Sequence, residues 1–336
     1  MTLLRVNDLR VAYHLNSGTA YAVNGVSFAL DEGKTLAIVG ESGSGKSTAA
    51  HALMGVLPPA GRIVGGEVHF RGRDLVKVPE SEMRKLRGKE ITMVLQNPIG
   101  SFDPVYTVGA QIVEAIQAHD PMSKRAAQDR TIDLLTRVGI PDARSRFHQY
   151  PHQFSGGMSQ RALIAMALVG SPKLLIADEP TSALDATVQA QIIDLLMNLC
   201  RDERLAILFI THDLGLTAFL ANDVAVMYGG RVVEYGPVQR IFYQPQHPYT
   251  AALLKSIVRR GEARPHRLPA IPGAPPNPLK LPSGCKFSPR CPYVMDICRQ
   301  IDPPLETDGA GQFFACHLDA ETRATLGARG PVDAKE

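Results

Sequence analysis

The sequence predicts an α/β protein: a mainly parallel, helix-covered sheet, interrupted by a helical insertion and followed by a small cysteine-rich extension. Three observations carry this. Short apolar runs recur between Gly, Asp and Asn, in the manner of strands. Helical periodicity occupies the intervals between the later runs. A proline-dense stretch then separates most of the chain from a group of cysteines. Strands alternating with helices favour a sheet with helices on its faces.

In chain order, "VSFAL", "TLAIV" and "GEVHF" read as strands within the first ninety or so residues. From Val108 to about Gly139 the pattern turns helical, with Ile112, Ile116, Ile132, Leu135 and Val138 at spacings of three and four. Strands return at "KLLIAD", "AILFIT" and "VAVMY", with a helical stretch from Val188 to Cys200 between the first two. Residues 261–282 are too rich in proline for helix or central strand and read as a linker. Residues 283–320 hold four of the five cysteines, and residues 321–336 read as a flexible tail.

At 336 residues, 45% hydrophobic and 21% charged, the chain has the composition of an ordinary globular protein of about two domains. Its first residues mix Arg5, Asp8 and Arg10 with apolar side chains, which is not the pattern of a signal peptide. The longest apolar runs fall far short of the roughly 20 residues of a membrane span, so the chain is not expected to cross a bilayer. A net charge of +3 is nearly balanced and argues neither for nor against nucleic acid. The densest basic stretch, "SKRAAQDR", reads as a solvated helix face.

Chemistry enters at "GESGSGKST", Gly40 to Thr48, which follows the strand "TLAIV" and opens a helix. Glycines let the backbone wrap a phosphate chain so that the N–H groups of Ser42, Gly43, Ser44, Gly45 and Thr48 and the helix N-terminus face negative charge. Lys46 is suited to neutralising phosphate oxygens, and the Ser47 hydroxyl to ligating Mg²⁺. A second feature, "LLIADEP", places Asp178 at a strand end, where it can hold Mg²⁺, and Glu179 where it can polarise an attacking water. Taken alone, that pair would serve equally well as the cap of a following helix.

"FSGGMSQR" sets Ser155, Gly156 and Gly157 before the helical run "ALIAMALV", which by itself suits an N-cap turn. With this loop the chain resembles the ATP-binding subunits of ABC transporters over about residues 1–260, with a helical subdomain at about 97–165. Further family elements follow in order: Gln96 in "MVLQNP", the "SALD" loop ending at Asp185, and His212 in "FITHD". Tyr13, 27 residues before Gly40, matches the aromatic that stacks on adenine. Phe154 and Met158 depart from the commonest signature, LSGGQ, in a loop whose chemistry is backbone-led. The resemblance implies a P-loop NTPase core: a RecA-like sheet with an antiparallel β subdomain.

It further implies two subunits clasping two ATP molecules head to tail, each phosphate loop facing the other chain's signature. Glu179 is then the general base, His212 contacts the γ-phosphate, and Gln96 ligates Mg²⁺ and senses the membrane subunit. "YPHQFSGGMSQR" and "QHPYTAALLKSI" resemble oligopeptide and dipeptide importers. Those work with two permease subunits, an external binding protein and a second, related ATPase at the cytoplasmic face of the membrane. Nickel or glutathione import is the alternative, because nothing in the chain reads the cargo. ABC ATPases of DNA repair or translation are disfavoured: only about 115 residues separate Gly40 from Ser155, and there is one cassette.

The compartment implied by the resemblance is reducing, which disfavours disulfides. Cys285, Cys291, Cys298 and Cys316, separated by five, six and seventeen residues, then suggest a metal centre. Structural zinc prefers tighter pairs. Some family members resembling this segment bind a [4Fe–4S] cluster, which is the first expectation here, with zinc or simple buried or redox-active thiols as alternatives. Cys200, at the end of an apolar helical run, is expected in the core.

Overall fold

A computed structural model describes residues 1–182, 184–256 and 271–327. The chain falls into two compact units: Met1, Asp31–Lys34 and Lys77–Phe209 form one, and Thr2–Leu30, Thr35–Val76 and Ile210–Glu336 the other. No helix among the described residues is long and apolar enough to cross a membrane.

The second unit holds an antiparallel sheet in the order Gly18–Asp31, Thr2–Leu15, Gly61–Phe70, Arg73–Asp74. The strand Thr2–Leu15 escapes detection by simple alternation for a physical reason. Its register slips between Asn7 and Arg10, where Asp8 adopts φ 47°, so the buried positions Val6 and Leu9 lie three apart instead of two. A bulge of this kind inserts one residue and shifts the phase of every side chain beyond it.

The same unit carries the strand Thr35–Val39, every residue of it buried, parallel to Asp223–Tyr228 in the register Leu36↔Asp223 to Val39↔Val226. Asn222 locks the start of this pair, its side chain accepting from Thr35 N at 2.8 Å. Arg231–Pro237 returns antiparallel beside Asp223–Tyr228. Phe313–Phe314 then pairs with Glu234 and Tyr235, and Glu306–Thr307 adds the outermost ladder. Those last two strands come from the cysteine-rich segment, which completes this sheet instead of standing apart. Tyr228, Tyr249 and Phe287 meet with ring centroids 4.5 to 5.3 Å apart, fixing the segment into the core of this unit. Each such buried ring contributes about 1.5–3 kcal/mol.

Of the proline-rich stretch, residues 261–270 lie outside the described residues. The remainder is held along the unit, with the Pro278 carbonyl accepting from Tyr21 N at 3.3 Å. The expected tail is corrected at its start: Ala320–Ala324 is helical, capped by Asp319, and Leu326 is buried. Residues 328–336 lie outside the described residues.

The first unit pairs Ile91–Val94 with Leu174–Asp178 in parallel, Ile91↔Leu174 to Val94↔Ala177. Four longer helices accompany them: Val108–His119, Lys124–Arg137, Gly156–Ala167 and Ala186–Glu203. Thr107 and Ser123 cap the first two through their hydroxyls, and Pro121 sits in the break between them. Val108, Ile112 and Ile116 form the buried stripe that the sequence periodicity predicts.

Candidate nucleotide site

The phosphate loop leaves the strand Thr35–Val39 and enters the helix Lys46–Met54. Gly45 caps that helix at φ 99°, and a Cβ there would stand 2.2 Å from the Ala22 carbonyl oxygen, so no other residue fits. No side chain caps the helix and its first turn holds no acidic residue, which leaves its N–H groups suited to an anion. Lys46 is 5% exposed, and its Nζ donates to the carbonyls of Gly40 at 2.7 Å and Glu41 at 2.9 Å. The ammonium is held inside the loop it serves. Ser42 and Gly43 are exposed at the loop's outer turn, Ser44 is buried, and Ser47 and Thr48 are half-buried on the first helical turn.

Two other expected residues belong to the same unit. Tyr13 is half-buried on Thr2–Leu15, opposite Gly61. His212 is exposed immediately beyond the buried strand Ala206–Thr211. The next residue, Asp213, accepts from Gly215 N at 2.8 Å and starts the helix Leu214–Leu220, which fixes the backbone on the C-terminal side of His212.

The remaining expected residues lie in the first unit. Asp178 ends the fully buried strand Leu174–Asp178 and is 5% exposed. Glu179 follows at φ 46°, a left-handed conformation that costs a non-glycine residue about 1–3 kcal/mol and persists where its surroundings enforce it. Gln96 Nε2 donates to Glu179 Oε2 at 3.0 Å. The sequence assigns these two residues separate roles and gives no sign that they touch. Ser155 is an N-cap, its hydroxyl accepting from Met158 N at 3.3 Å, and Ser155 and Gly156 lie exposed at the start of Gly156–Ala167. Gly157 packs closely, since a Cβ there would come within 2.5 Å of Val188 Cγ1. Asp185 caps Ala186–Glu203 by accepting from Thr187 N at 3.1 Å and Val188 N at 3.0 Å. Signature loop and cap are thereby built on adjoining helix ends.

Comparison with known proteins places this arrangement. The family model described as ABC transporter matches residues 23–182, and that of the oligopeptide/dipeptide transporter C-terminal region matches residues 233–298. The oligopeptide transport ATP-binding protein OppD of Salmonella typhimurium is 50% identical over 319 residues, 95% of this chain and 94% of its own length. The chain belongs to the ATP-binding subunits of the oligopeptide and dipeptide ABC transporters. The dipeptide transport ATP-binding protein DppD of Escherichia coli is 47% identical across 97% of the chain and 100% of its own length. Among solved structures, the dimeric cassette MJ0796 bound to ADP and Pi superposes with a TM-score of 0.63 at 25% identity, over 70% of this chain and 98% of its own. The CbiO1 cassette from Clostridium perfringens gives 0.61 at 27% identity, over 72% and 90%.

The C-terminal region of this ABC ATPase supplies contacts that the sequence does not show. His247, 1% exposed, caps the helix Pro248–Lys255, its Nδ1 accepting from Tyr249 N at 3.0 Å. Burial pushes its pKa down to about 3, so the imidazole is neutral and free to accept. Tyr249, fully buried, reaches back to the phosphate loop, its Oη accepting from Glu41 N at 2.9 Å. The "HPY" stretch is visible in the sequence; its contact with Glu41, 208 residues away, is not.

The four clustered cysteines do come together, all lining one pocket with Phe287, Tyr293 and Leu318. All are free. Burial, largest among the causes, raises the Cys285 thiol, pushes that of Cys291 up to about 11 and that of Cys316 up to about 12. Among the described residues no three His, Cys, Asp or Glu side chains are placed to hold a metal ion. The expected metal centre is thus not present as a preformed ligand set among the described residues; the four cysteines line a largely apolar pocket. Cys200 is half-buried at the end of Ala186–Glu203, not fully in the core.

Proposed function

We propose that the chain is the ATP-hydrolysing subunit that powers import of di- or oligopeptides from the cytoplasmic face of the membrane. Near-50% identity to oligopeptide and dipeptide transport ATP-binding proteins along almost the whole chain carries this reading. Two permease subunits, a substrate-binding protein and a second, related ATPase complete the assembly.

The phosphate loop binds the ATP phosphates through the N–H groups of Ser42 to Thr48 and the ammonium of Lys46. Tyr13 stacks on the base. Lys46 exchanges its bonds to the Gly40 and Glu41 carbonyls for bonds to phosphate oxygens. The hydroxyl of Ser47, the side-chain amide oxygen of Gln96 and the carboxylate of Asp178 are donors that suit a hard cation; these are the residues that would hold Mg²⁺, and it would supply neutralisation of phosphate charge. Glu179 takes the proton of the attacking water, and His212 donates to the γ-phosphate. Gln96, bonded to Glu179, links the general base to the loop that meets the permease. Ser155, Gly156 and Gly157 present their exposed helix start to the nucleotide on the partner ATPase, with Asp185 supporting the junction.

Disabling the signature tests this most directly. With Ser155→Ala and Gly156→Asp placed in every ATPase copy of the reconstituted transporter, ATP hydrolysis and peptide uptake fall by about 10²-fold, the scale of losing transition-state donors. MgATP still binds to the isolated chain. Undiminished turnover would remove the head-to-tail sandwich from the mechanism.

The four thiols have the donor chemistry of a [4Fe–4S] cluster, with zinc as the alternative. Cys285, Cys291, Cys298 and Cys316 would hold it as thiolates, and it would staple a segment that has little core of its own. Anaerobically purified protein is expected to carry about four iron atoms per chain and visible charge-transfer absorption, both lost in Cys291→Ser. Stoichiometric zinc without iron sinks the cluster reading.

A further inference from the structure

We propose that Arg290, together with Tyr249, is a positioning residue for the phosphate loop, setting the affinity for MgATP through Glu41 without touching the nucleotide. The proposal rests on the loop being the nucleotide site.

Arg290 lies between Cys285 and Cys291 in sequence, in the 3₁₀ turn Ser288–Arg290, and is 8% exposed. All five of its N–H donors have acceptors. Nη1 donates to Glu41 Oε2 at 2.6 Å and to Tyr228 Oη at 3.2 Å. Nη2 donates to Glu41 Oε1 at 3.0 Å and to the Ile271 carbonyl at 3.2 Å. Nε donates to the Pro272 carbonyl at 2.9 Å. The guanidinium also lies over the Tyr228 ring, 5.7 Å from its centroid. A planar fork satisfied on every donor cannot rotate without breaking several bonds at once.

Its target makes this more than a packing device. Glu41 is the second residue of the loop and is gripped at three points. The carboxylate is held by Arg290, and the N–H is held by Tyr249 Oη. The carbonyl accepts from Lys46 Nζ and from Ser44 N, at 2.9 and 3.2 Å. Moving the Glu41 side chain therefore moves the oxygen on which the phosphate-binding ammonium rests. Both outer grips come from C-terminal segments, Tyr249 from the start of Pro248–Lys255 and Arg290 from the cysteine segment. Neither is part of the loop. The cysteine segment thereby becomes a determinant of nucleotide affinity, through a residue that no phosphate-loop motif contains.

Removing the guanidinium should be read in KM and not in kcat, because Arg290 reaches no reacting atom. In the assembled transporter, Arg290→Ala is expected to raise the KM for MgATP at least about fivefold, the low end of measured site-to-site coupling, with kcat within about twofold. Arg290→Lys keeps the charge without the fork and recovers only part of the affinity. In a double-mutant cycle, Glu41→Ala with Arg290→Ala costs no more than the larger single change. If Arg290→Ala does not fold, Tyr249→Phe removes only the oxygen that accepts from Glu41 N and shifts KM in the same direction. An unchanged KM in folded Arg290→Ala, with only a lowered melting temperature, overturns the proposal, and so does strict additivity in the cycle. Lys46→Ala separates the two readings: if it retains full MgATP affinity, the loop is not the nucleotide site; if it loses affinity while Arg290→Ala does not, only the positioning role falls.

Discussion

Glu179→Gln is expected to lower ATP hydrolysis by about 10²–10⁴-fold, the range that a positioned general base supplies, while MgATP binding stays within a few-fold of wild type. The amide has the shape of the carboxylate and keeps an oxygen to accept from Gln96 Nε2, which now bonds Glu179 Oε2 at 3.0 Å. It loses only the basicity. The left-handed backbone at φ 46° is the same for either side chain, so an effect on hydrolysis cannot be laid to relieved strain. With ATP bound and not consumed, the chain should accumulate with its partner ATPase as a closed pair, measurable by size-exclusion chromatography beside the turnover assay. Hydrolysis within threefold of wild type would take Glu179 out of the chemistry.

Glu234→Ala is expected to be the most destabilising single change outside the nucleotide site. The carboxylate is fully buried and accepts from Gln246 N at 2.7 Å, His247 N at 3.0 Å and Gln312 Nε2 at 2.7 Å. It joins the strand Arg231–Pro237 to the approach of the helix Pro248–Lys255 and to the cysteine-rich segment. Deleting it strands three buried donors at about 1–3 kcal/mol each, so a total of roughly 3–5 kcal/mol is expected after relaxation. The same residue makes stability depend on pH. Burial, against the opposing pull of those donors, raises its pKa from the ordinary 4.5 to about 7. The folded state therefore holds this proton more tightly than the unfolded chain does. Its contribution is full below about pH 4.5 and is lost as pH rises towards 7, by about 3 kcal/mol at most. Urea unfolding of wild type and Glu234→Gln at several pH values should show this falling component in wild type alone. Parallel profiles would refute it.

Much of the nucleotide chemistry is legible in one dimension because it resides in short segments. Gly40 to Thr48 needs glycine where the backbone turns left-handed or meets another chain segment at van der Waals distance, and a lysine and a hydroxyl at fixed offsets. Those demands are local and leave a readable string. Ser155 and Asp185 are similar, since a helix cap and the turn it closes lie within four residues. The helical insertion is legible through the stripe of Val108, Ile112 and Ile116. The strand Thr2–Leu15 is not, because its bulge breaks the alternation by which strands are recognised.

By itself, then, the sequence determined the fold class, the phosphate loop, the signature and the order in which they occur, each a matter of near-neighbour stereochemistry. Only the tertiary structure decided that Gln96 grips Glu179, that Glu234 gathers three donors from two distant segments, that four distant thiols line one pocket, and that Arg290 and Tyr249 hold Glu41. The reason is geometric. An ion pair or hydrogen bond between residues 249 positions apart, as in Arg290 with Glu41, depends on where the sheet and its surrounding segments deliver each side chain, and neither residue's neighbours in sequence need carry any trace of the other.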